Sequence, residues 1–500
     1  MRAITWLVAT ALAGSIFITG CGGSDGGTEP PAATPPVTTP PVAVVPEESR
    51  PHDTRTFTTT ATTTFAALST ATGDITDVAT TSRWAGVLGG ASYRVEVPAA
   101  WNGKLVMYAH GFAGTGAALT VDNPQLRRHL VDNGYAWAAS SYSKNYYDVR
   151  AGVEDTNALA LEFNKIAAAN ARTLAAPSKI YITGISMGGH ITGAAIEAET
   201  AATAKNKVAY NGAVPMCGVM GDTELFNTFS AMQVAAQAVA GVPSYPTAKW
   251  SEIAGLVTGT LFSSFPTTAN PRATITATAT GAKYVSVVKN LTGGERPIFD
   301  LGLAIGGSFP SAYGTFGSDG KLGGILTKNI LDTNSFTYVI DGDAAGSAAL
   351  NASAQKLTAV PDANRLRTDG LRWVPVINGE IKIPVVSIHT LGDLFVPFNM
   401  QQVYQKRVAA KGNSTWLVQR AIRGASHCDF TVAEEIDAFE AMIKWERDGV
   451  KPMGDDVVTP ATVAAGNYGC TYTKNTLRPD DTPTTKFLRP IVESQRPCGP

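Results

Sequence analysis

Small residues recur at Gly184, Ser186 and Gly188, where an apolar run gives way to a stretch rich in small residues. In a sharp turn from strand to helix, the positions two before and two after the serine approach so closely that only small side chains fit. Such a turn lifts the serine hydroxyl above the strand end and points the first N–H groups of the helix towards it. The pattern therefore predicts that Ser186 is a nucleophile; the alternative is a serine that only shapes a turn.

The predicted nucleophile needs a general base, because a serine hydroxyl reacts poorly at neutral pH. When a serine on such a turn works with an acid and a histidine, the chain order is serine, acid, histidine. Of the six histidines, His389 and His427 follow the serine with enough intervening chain. His389 lies in an apolar run typical of a buried strand, whereas His427 lies in a loop after the last core strand. His427 is therefore the predicted base, and His110 and His190 are expected to pack or to shape turns.

Asp393 is the predicted acid, which orients the histidine and stabilises its charged form. It comes just after the apolar strand 383–390 and precedes His427 in the chain. The alternative is Asp222, because some proteins of this architecture carry the acid one strand earlier. The position just past the end of a strand favours Asp393.

The negative oxygen that forms when a serine attacks a carbonyl group needs two backbone N–H donors. Met187 follows the serine in the chain and is expected to supply one of them. The second is expected from Phe112, in the loop after the apolar run 105–109. His110 and Gly111 precede this donor, and the glycine permits a close backbone approach.

Strands and helices alternate in the pattern from Ser92 to Gly221, and the alternation returns at Ile383. Alternation of this kind predicts an α/β fold with a mostly parallel central sheet flanked by helices. The segment between is expected to be a cap insertion over one end of the sheet; the alternative is an independent second domain. The residues after Gly454 show little periodicity. The predicted parts are a core in two pieces, 53–220 and 383–450, a cap insertion, 221–382, and a C-terminal tail, 451–500.

Two local patterns add detail to these parts. Within the insertion, residues 224–241 look helical, whereas residues 290–324 are Gly-rich and irregular. In the second piece of the core, residues 432–449 predict an amphipathic helix. Glu434 and Glu435 are expected among the acidic residues of its polar side.

The predicted site residues together resemble the α/β-hydrolase superfamily of serine hydrolases. The resemblance covers about residues 92–220 and 383–450 and rests on the serine turn, on Asp393 and His427, and on the His-Gly pair before the second oxyanion donor. It implies attack by Ser186 on a carbonyl group, an acyl-enzyme, and hydrolysis by water activated through the histidine. The sequence contains no metal-ligand cluster, phosphate-binding loop or dinucleotide fingerprint, so no cofactor and no metal site are expected.

Residues 1–21 have the form of an export signal, with a basic residue, a short apolar stretch and a terminal Gly20-Cys21 pair. The pair resembles the lipobox of bacterial lipoproteins, in which the cysteine is acylated. The alternative is an ordinary secretory signal with a chance cysteine. Residues 22–52 are rich in Pro, Thr and Gly and predict a disordered spacer. We therefore expect an exported, lipid-anchored protein, and Gly22 in place of Asp favours the outer membrane.

Export implies an oxidising compartment, in which disulfides form. Apart from Cys21, the chain has Cys217, Cys428, Cys470 and Cys498. Cys470 and Cys498 lie close together in the tail, which predicts one bridge there. That bridge would leave Cys217 to pair with Cys428. A disulfide beside the predicted base resembles a brace of the histidine loop found in some secreted α/β-hydrolases. The alternative is a set of buried free thiols.

The charge balance gives no reason to expect a nucleic-acid partner, because the formal net charge is −1. A tethered serine hydrolase with an aromatic-rich cap is expected to cleave a small-molecule or oligomeric ester. An amidase or peptidase is the first alternative, since the same three residues serve those reactions. A non-catalytic binding lipoprotein on the same scaffold is the second.

Overall fold

The structure is a computed structural model, which describes residues 55–59, 65–314, 316–317, 326–327, 330–364 and 374–499. The predicted export signal with Cys21 and the predicted spacer, 22–52, lie outside these residues. None of the helices in the described part of the chain has both the length and the apolar character that crossing a membrane requires.

The strands of the described residues are numbered in chain order. They are β1 Thr81–Leu88, β2 Ala91–Pro98, β3 Lys104–Ala109, β4 Ala136–Ser140, β5 Lys179–Ile185, β6 Gly212–Met216, β7 Phe262–Ser264, β8 Thr276–Ala277, β9 Phe316–Gly317, β10 Leu326–Thr327, β11 Val385–Thr390 and β12 Leu417–Ile422. Within these ranges, eight strands form one sheet in the order β1-β2-β4-β3-β5-β6-β11-β12. The β1–β2 and β2–β4 pairs are antiparallel, and all later neighbours in this sheet are parallel.

The α-helices of the described residues are also numbered in chain order. They are α1 Arg127–Asp132, α2 Val149–Ala169, α3 Met187–Ala195, α4 Ala198–Thr203, α5 Glu224–Val239, α6 Trp250–Leu261, α7 Ala279–Leu291, α8 Phe299–Ile305, α9 Ala344–Ser353, α10 Asn399–Ala410, α11 Val432–Asp448, α12 Pro460–Val463 and α13 Pro483–Gln495. Helices α5 to α9 belong to the insertion, and α12 and α13 belong to the tail.

Helices cover both faces of the sheet, which explains why its central strands are continuous apolar runs. In β3, Leu105 and Met107 lie in a buried cluster with residues of α2 and α3. The alternate residues of the same strand, Val106 and Tyr108, lie in a second cluster with residues of α1 and α11. A mostly parallel sheet between two helical layers confirms the predicted α/β class.

The sequence pattern did not predict several elements, among them β1, α8 and α13. The edge strand β1 precedes Ser92, and its residues are mostly half-buried, so its apolar signal is weak. Helix α8 lies in the Gly-rich stretch that was expected to be irregular; one glycine inside it and another just after it pack tightly against neighbouring loops, as described below. Helix α13 lies in the tail; Pro490 inside it masks its helical pattern.

Helix α13 changes the environment of α11. The guanidinium of Arg489 donates to both carboxylate oxygens of Glu434, at 2.7 and 2.6 Å, and also to the carbonyl of Asp429. Glu434 and Glu435 are both buried. Their predicted place on a polar, exposed side is therefore wrong, because the tail covers this part of the helix.

The carboxyl group of Glu435 has an unusual pKa. Burial, with the neighbouring carboxylates of Glu434 and Asp481, raises the pKa of Glu435 to about 8. The folded protein therefore keeps a proton on this group that the unfolded chain releases above its ordinary pKa of 4.5. Its contribution to stability is full below about pH 4.5 and is lost as the pH rises to about 8.

We predict that Glu435→Gln makes the protein more stable than the wild type at pH 8 but not at pH 5. The difference is expected to be on the order of 2–4 kcal/mol, since one pKa unit corresponds to about 1.4 kcal/mol. Denaturant unfolding at both pH values measures it, with the exposed Glu493→Gln as the control. Equal pH slopes for the wild type and Glu435→Gln would show that this carboxyl group does not carry the effect.

Candidate active site

Ser186 lies at the turn from β5 to α3, in a backbone conformation that few non-glycine residues adopt, with φ 57° and ψ −122°. The turn is so tight that a Cβ atom on Gly188 would lie 2.0 Å from the carbonyl oxygen of Ala109. A Cβ atom on Gly184 would lie 2.4 Å from the Gly188 carbonyl oxygen. The two glycines of the pattern are therefore required for the turn that presents the serine.

Ser186, His427 and Asp393 form a chain of hydrogen bonds. The Ser186 hydroxyl lies 2.8 Å from Nε2 of His427, and Nδ1 of the same ring lies 2.6 Å from Oδ2 of Asp393. A carboxylate can only accept, so Nδ1 carries the proton and leaves Nε2 free to accept from the serine. The second carboxylate oxygen accepts the N–H groups of Phe395 and Val396, both at 2.9 Å. These bonds hold the buried carboxylate in the orientation that aligns the imidazole.

The alternative acid, Asp222, has other partners. Its Oδ2 accepts the N–H group of Ile377 at 2.9 Å and a guanidinium N–H of Arg407 at 2.5 Å. Of the two carboxylates, it is Asp393 that contacts His427.

His190 and His389 are both buried, and both donate Nε2–H to a backbone carbonyl. His190 donates to Pro375 at 2.9 Å, and the Tyr147 hydroxyl lies 2.9 Å from its Nδ1. His389 donates to Val396 at 2.7 Å. Burial lowers the pKa of both imidazoles. They are neutral packing groups, and His389 supports the loop that carries the acid.

His110 shapes the loop that faces the serine. Its ring stacks on Tyr142 with centroids 4.1 Å apart, and its Nδ1 lies 2.6 Å from the Gly111 carbonyl oxygen. Burial lowers the pKa of His110. A Cβ atom on Gly111 would lie 3.2 Å from the Cβ of Ser186, so this loop passes directly beside the serine.

The structure brings the backbone segments of the two predicted oxyanion donors to the same place. Phe112 follows the glycine that passes beside Ser186. Met187 is the first residue of α3, where a backbone N–H has no acceptor within its own helix. Both positions suit N–H donors that point at an oxygen above the serine.

In the described residues, Cys217 is bonded to Cys428 and Cys470 to Cys498, with Cα–Cα distances of 5.4 and 5.5 Å. The first bridge joins the end of β6 to the residue after His427. Its Cys217 sulfur lies 3.3 Å from the backbone nitrogen of Ser186. The bridge therefore ties the base loop to the nucleophile turn.

The insertion packs directly on the loops that carry the acid and the base. A Cβ atom on Gly302, in α8, would lie 2.1 Å from the Gly392 carbonyl oxygen. A Cβ atom on Gly306, just after α8, would lie 2.1 Å from the Ala425 carbonyl oxygen. Ser426 donates its hydroxyl to the carbonyl of Gly306 at 2.5 Å. The two glycine contacts run from backbone to backbone and leave no room for a side chain at Gly302 or Gly306.

Arg296 is a residue of this contact that sequence reasoning missed. It is buried, and its guanidinium donates to the carbonyls of Leu391 at 2.8 Å and Gly294 at 2.9 Å, and to the Thr292 hydroxyl at 3.2 Å. Burial lowers the pKa of Arg296 to about 9, and the nearby charge of Asp393 opposes this shift. The guanidinium thus remains a cation next to the acid loop. Its one sequence signal is an arginine within a Gly-rich, mostly apolar stretch.

An aromatic pair connects the insertion to the base. The Phe395 ring meets the His427 ring edge-on with centroids 5.3 Å apart and stacks on Phe229 of α5 at 5.7 Å. Other aromatic residues of the insertion pack on one another, such as Phe262 on Phe265 at 5.0 Å. Phe229 thus reaches a residue that contacts the site, whereas Phe262 and Phe265 pack on each other within the insertion.

Comparison with known sequences gives a short match. No family model matches the chain. A segment of 91 residues is 28% identical to o-phthalyl amidase from Xanthobacter agilis, which is 18% of this chain and 20% of that protein. The chain thus matches about a fifth of the length of this relative.

Comparison with solved structures gives distant likenesses. Feruloyl esterase B from Aspergillus oryzae is 15% identical, with a TM-score of 0.39 over 74% of this chain and 81% of that chain. Candida antarctica lipase A in its closed state is 16% identical, with a TM-score of 0.37 over 84% of this chain and 87% of that chain. The fold is more firmly defined by the structure itself. In the order of its strands and in the serine turn between β5 and α3, the chain has the arrangement of an α/β-hydrolase fold.

Proposed function

We propose that the protein is a serine hydrolase that cleaves a carboxylic ester through an acyl-enzyme on Ser186. The observation that carries the proposal is the hydrogen-bond chain from Ser186 through His427 to Asp393. The ring has the tautomer that can accept the serine proton, and the acid is already aligned to stabilise the imidazolium that follows.

In the first half of the reaction, Nε2 of His427 takes the hydroxyl proton as Ser186 Oγ attacks the ester carbonyl carbon. The carbonyl oxygen becomes negative and is stabilised by the N–H groups of Phe112 and Met187. The imidazolium, stabilised by Asp393, then gives its proton to the alcohol oxygen. The carbon–oxygen bond breaks, the alcohol leaves, and the acyl group remains on the serine.

In the second half, a water molecule replaces the alcohol. His427 takes a proton from the water as it attacks the acyl carbon, and the same two N–H groups stabilise the oxygen again. The serine leaves with the proton returned by the imidazolium. The products are a carboxylic acid and the free enzyme, and no cofactor takes part in either half.

The substrate is proposed to be a small-molecule or oligomeric ester, admitted by residues 221–382 acting as a cap. The cap's contacts with both catalytic loops support its proposed role, and the stacking of Phe229 on Phe395 beside the base supports a site with an apolar wall. An amide substrate is the second candidate. The observation in its favour is the 91-residue likeness to a protein named o-phthalyl amidase.

The protein is proposed to be exported and anchored through an acylated Cys21 at the outer membrane. The two disulfides found in the described residues support an oxidising compartment. The glycine- and proline-rich spacer would then hold the enzyme away from the lipid surface. Nucleic acid is not expected as a partner.

We predict that a fluorophosphonate probe labels the purified protein, because an activated serine attacks phosphorus as it attacks a carbonyl carbon. Labelling is expected to disappear in Ser186→Ala and to persist in Ser251→Ala, which changes an exposed serine of α6. Gel fluorescence or intact mass measures it. Labelling that survives in Ser186→Ala would mean that the reactive nucleophile is another residue. A folded wild type that takes no label would favour the non-catalytic binding protein instead.

Two substrates that carry the same acyl group, one as an ester and the other as an anilide, distinguish the esterase from the amidase activity. We predict that kcat/KM is higher for the ester by at least about 100-fold, because an amine leaves with more difficulty than an alcohol unless a site is built to protonate it. Equal or faster cleavage of the anilide would establish the amidase alternative.

We predict that Arg296→Met lowers kcat/KM by about 10- to 100-fold, because the acid loop loses a buried hydrogen-bond donor worth about 1–3 kcal/mol. Arg272→Met, which changes an exposed arginine of the same insertion, is the matched control and should leave kcat/KM unchanged. Circular dichroism verifies that both variants are folded. Wild-type activity in folded Arg296→Met would mean that this contact does not position the acid.

A further inference from the structure

The Cys217–Cys428 bridge and the imidazole of His427 place three possible metal ligands together. The two sulfurs and a ring nitrogen all lie within 4.8 Å of one another. Nε2 of His427 is 3.4 Å from the sulfur of Cys428. Two ligands on a tetrahedral zinc, one sulfur at about 2.3 Å and one nitrogen at about 2.0 Å, lie about 3.5 Å apart. The imidazole and one sulfur thus already have the spacing of zinc ligands.

We propose that reduction of this bridge creates a Cys₂His site for Zn²⁺ at the candidate active centre. A dithiol reductant attacks the sulfur of Cys428 and breaks the bond to Cys217. Two electrons pass to the pair, the reductant leaves as a cyclic disulfide, and its two protons end on the two cysteine thiols. Zn²⁺ then displaces both protons and binds two thiolates and Nε2 of His427.

A reductant can reach the bridge from one side. Cys428 and His427 are half-buried, whereas Cys217 is fully buried. Attack is therefore directed to the sulfur of Cys428, and the cysteine at the end of β6 is the leaving thiol. The soft thiolate pair favours Zn²⁺ over Mg²⁺ or Ca²⁺, which prefer oxygen ligands.

Hydrogen bonds that do not involve sulfur hold the base loop in place when the bridge opens. Thr390 donates its hydroxyl to the carbonyl of Ser426 at 2.9 Å, and the Ser426 hydroxyl is bonded to the insertion. The N–H of Ala425 donates to the Asp429 carboxylate at 3.1 Å, and Arg489 donates to the carbonyl of the same aspartate. These bonds flank His427 and its neighbouring cysteine on both sides.

Cys217, the second cysteine of the bridge, is also held in place by a backbone hydrogen bond. The N–H of Cys217 donates to the carbonyl of Ile388, in the neighbouring strand, at 2.9 Å. The backbone positions of the three ligands are therefore kept in the reduced protein. Only the distance between the two sulfur atoms has to grow, from that of a bond to that of two ligands on one metal ion. A water molecule or the Ser186 hydroxyl, 2.8 Å from Nε2, completes the four ligands.

Zinc at this site would occupy the nitrogen that accepts the proton of Ser186. Hydrolysis by the reduced protein would stop while the metal is bound and return when a chelator removes it. This consequence rests on the proposed hydrolase function, but metal binding itself does not. The zinc-site proposal and the hydrolase proposal can therefore be disproved independently of each other.

The test uses the full-length protein with Cys21→Ser, reduced by a phosphine, which supplies the two electrons and leaves as its oxide with the oxygen of one water. Zn²⁺ is titrated against a chromophoric chelator, and Co²⁺ replaces it for absorption spectra. We expect one metal per chain and no tight binding before reduction. With Co²⁺, the intensity of the near-ultraviolet thiolate-to-cobalt absorption band should correspond to two thiolate ligands. Circular dichroism records whether the reduced protein stays folded.

Matched variants identify the ligands. Cys217→Ser is expected to lose tight binding, whereas Cys470→Ser, which opens the tail bridge, retains it. His427→Gln keeps both thiols, and we expect weaker binding with the two-thiolate band preserved. Loss of binding in Cys470→Ser alone would place the metal in the tail. That result, a folded reduced protein that binds no metal, or unfolding on reduction would each overturn the proposal.

Discussion

The imidazole of His427 must reach Ser186 with one nitrogen and Asp393 with the other, and most of the surrounding structure serves to hold that ring. The hydrogen bonds of 2.8 and 2.6 Å leave little freedom for the loop that carries it. On one side the loop is bonded covalently to the end of β6 through Cys428. On the other, α13 reaches it through Arg489, which ties the loop backbone to α11. The tail is therefore part of the site's support, although it contributes no predicted catalytic residue.

The sheet and the insertion position different members of the site. The parallel strands β5, β11 and β12 end at one edge of the sheet, so the serine, the acid and the base come from loops that must meet there. The insertion then fixes the acid and base loops relative to each other, because α8 contacts the backbone of the acid loop and the residue just after α8 contacts the backbone of the base loop. Gly302 and Gly306 permit this approach, and the buried Arg296 donates to the carbonyl of Leu391 in the acid loop. An insertion that touches the catalytic loops so closely can affect the rate as well as the choice of substrate.

The sequence predicted the parts of the site that depend on local geometry. The glycines around Ser186 signal a turn that no larger side chains would permit, and Asp393 and His427 follow strands whose ends the apolar runs mark. The features that the sequence did not predict depend on contacts between segments that are distant in the chain. Glu434 and Glu435 look exposed on a helical pattern, but α13 buries them from a position that no local periodicity reveals. Arg296 acquires its importance from the carbonyl of Leu391, which is far away in the chain, and the half-buried edge strand β1 carries too weak an alternation to be noticed.

The most direct measurement of the central claim is a crystal structure of the protein after reaction with a small alkyl fluorophosphonate. The account predicts phosphorus bonded to Ser186 Oγ, with the phosphoryl oxygen about 2.7–3.1 Å from the backbone nitrogens of Phe112 and Met187. The ring of His427 should remain bonded to Asp393. Phosphorus on another residue, or a phosphoryl oxygen pointing away from both N–H groups, would contradict the account.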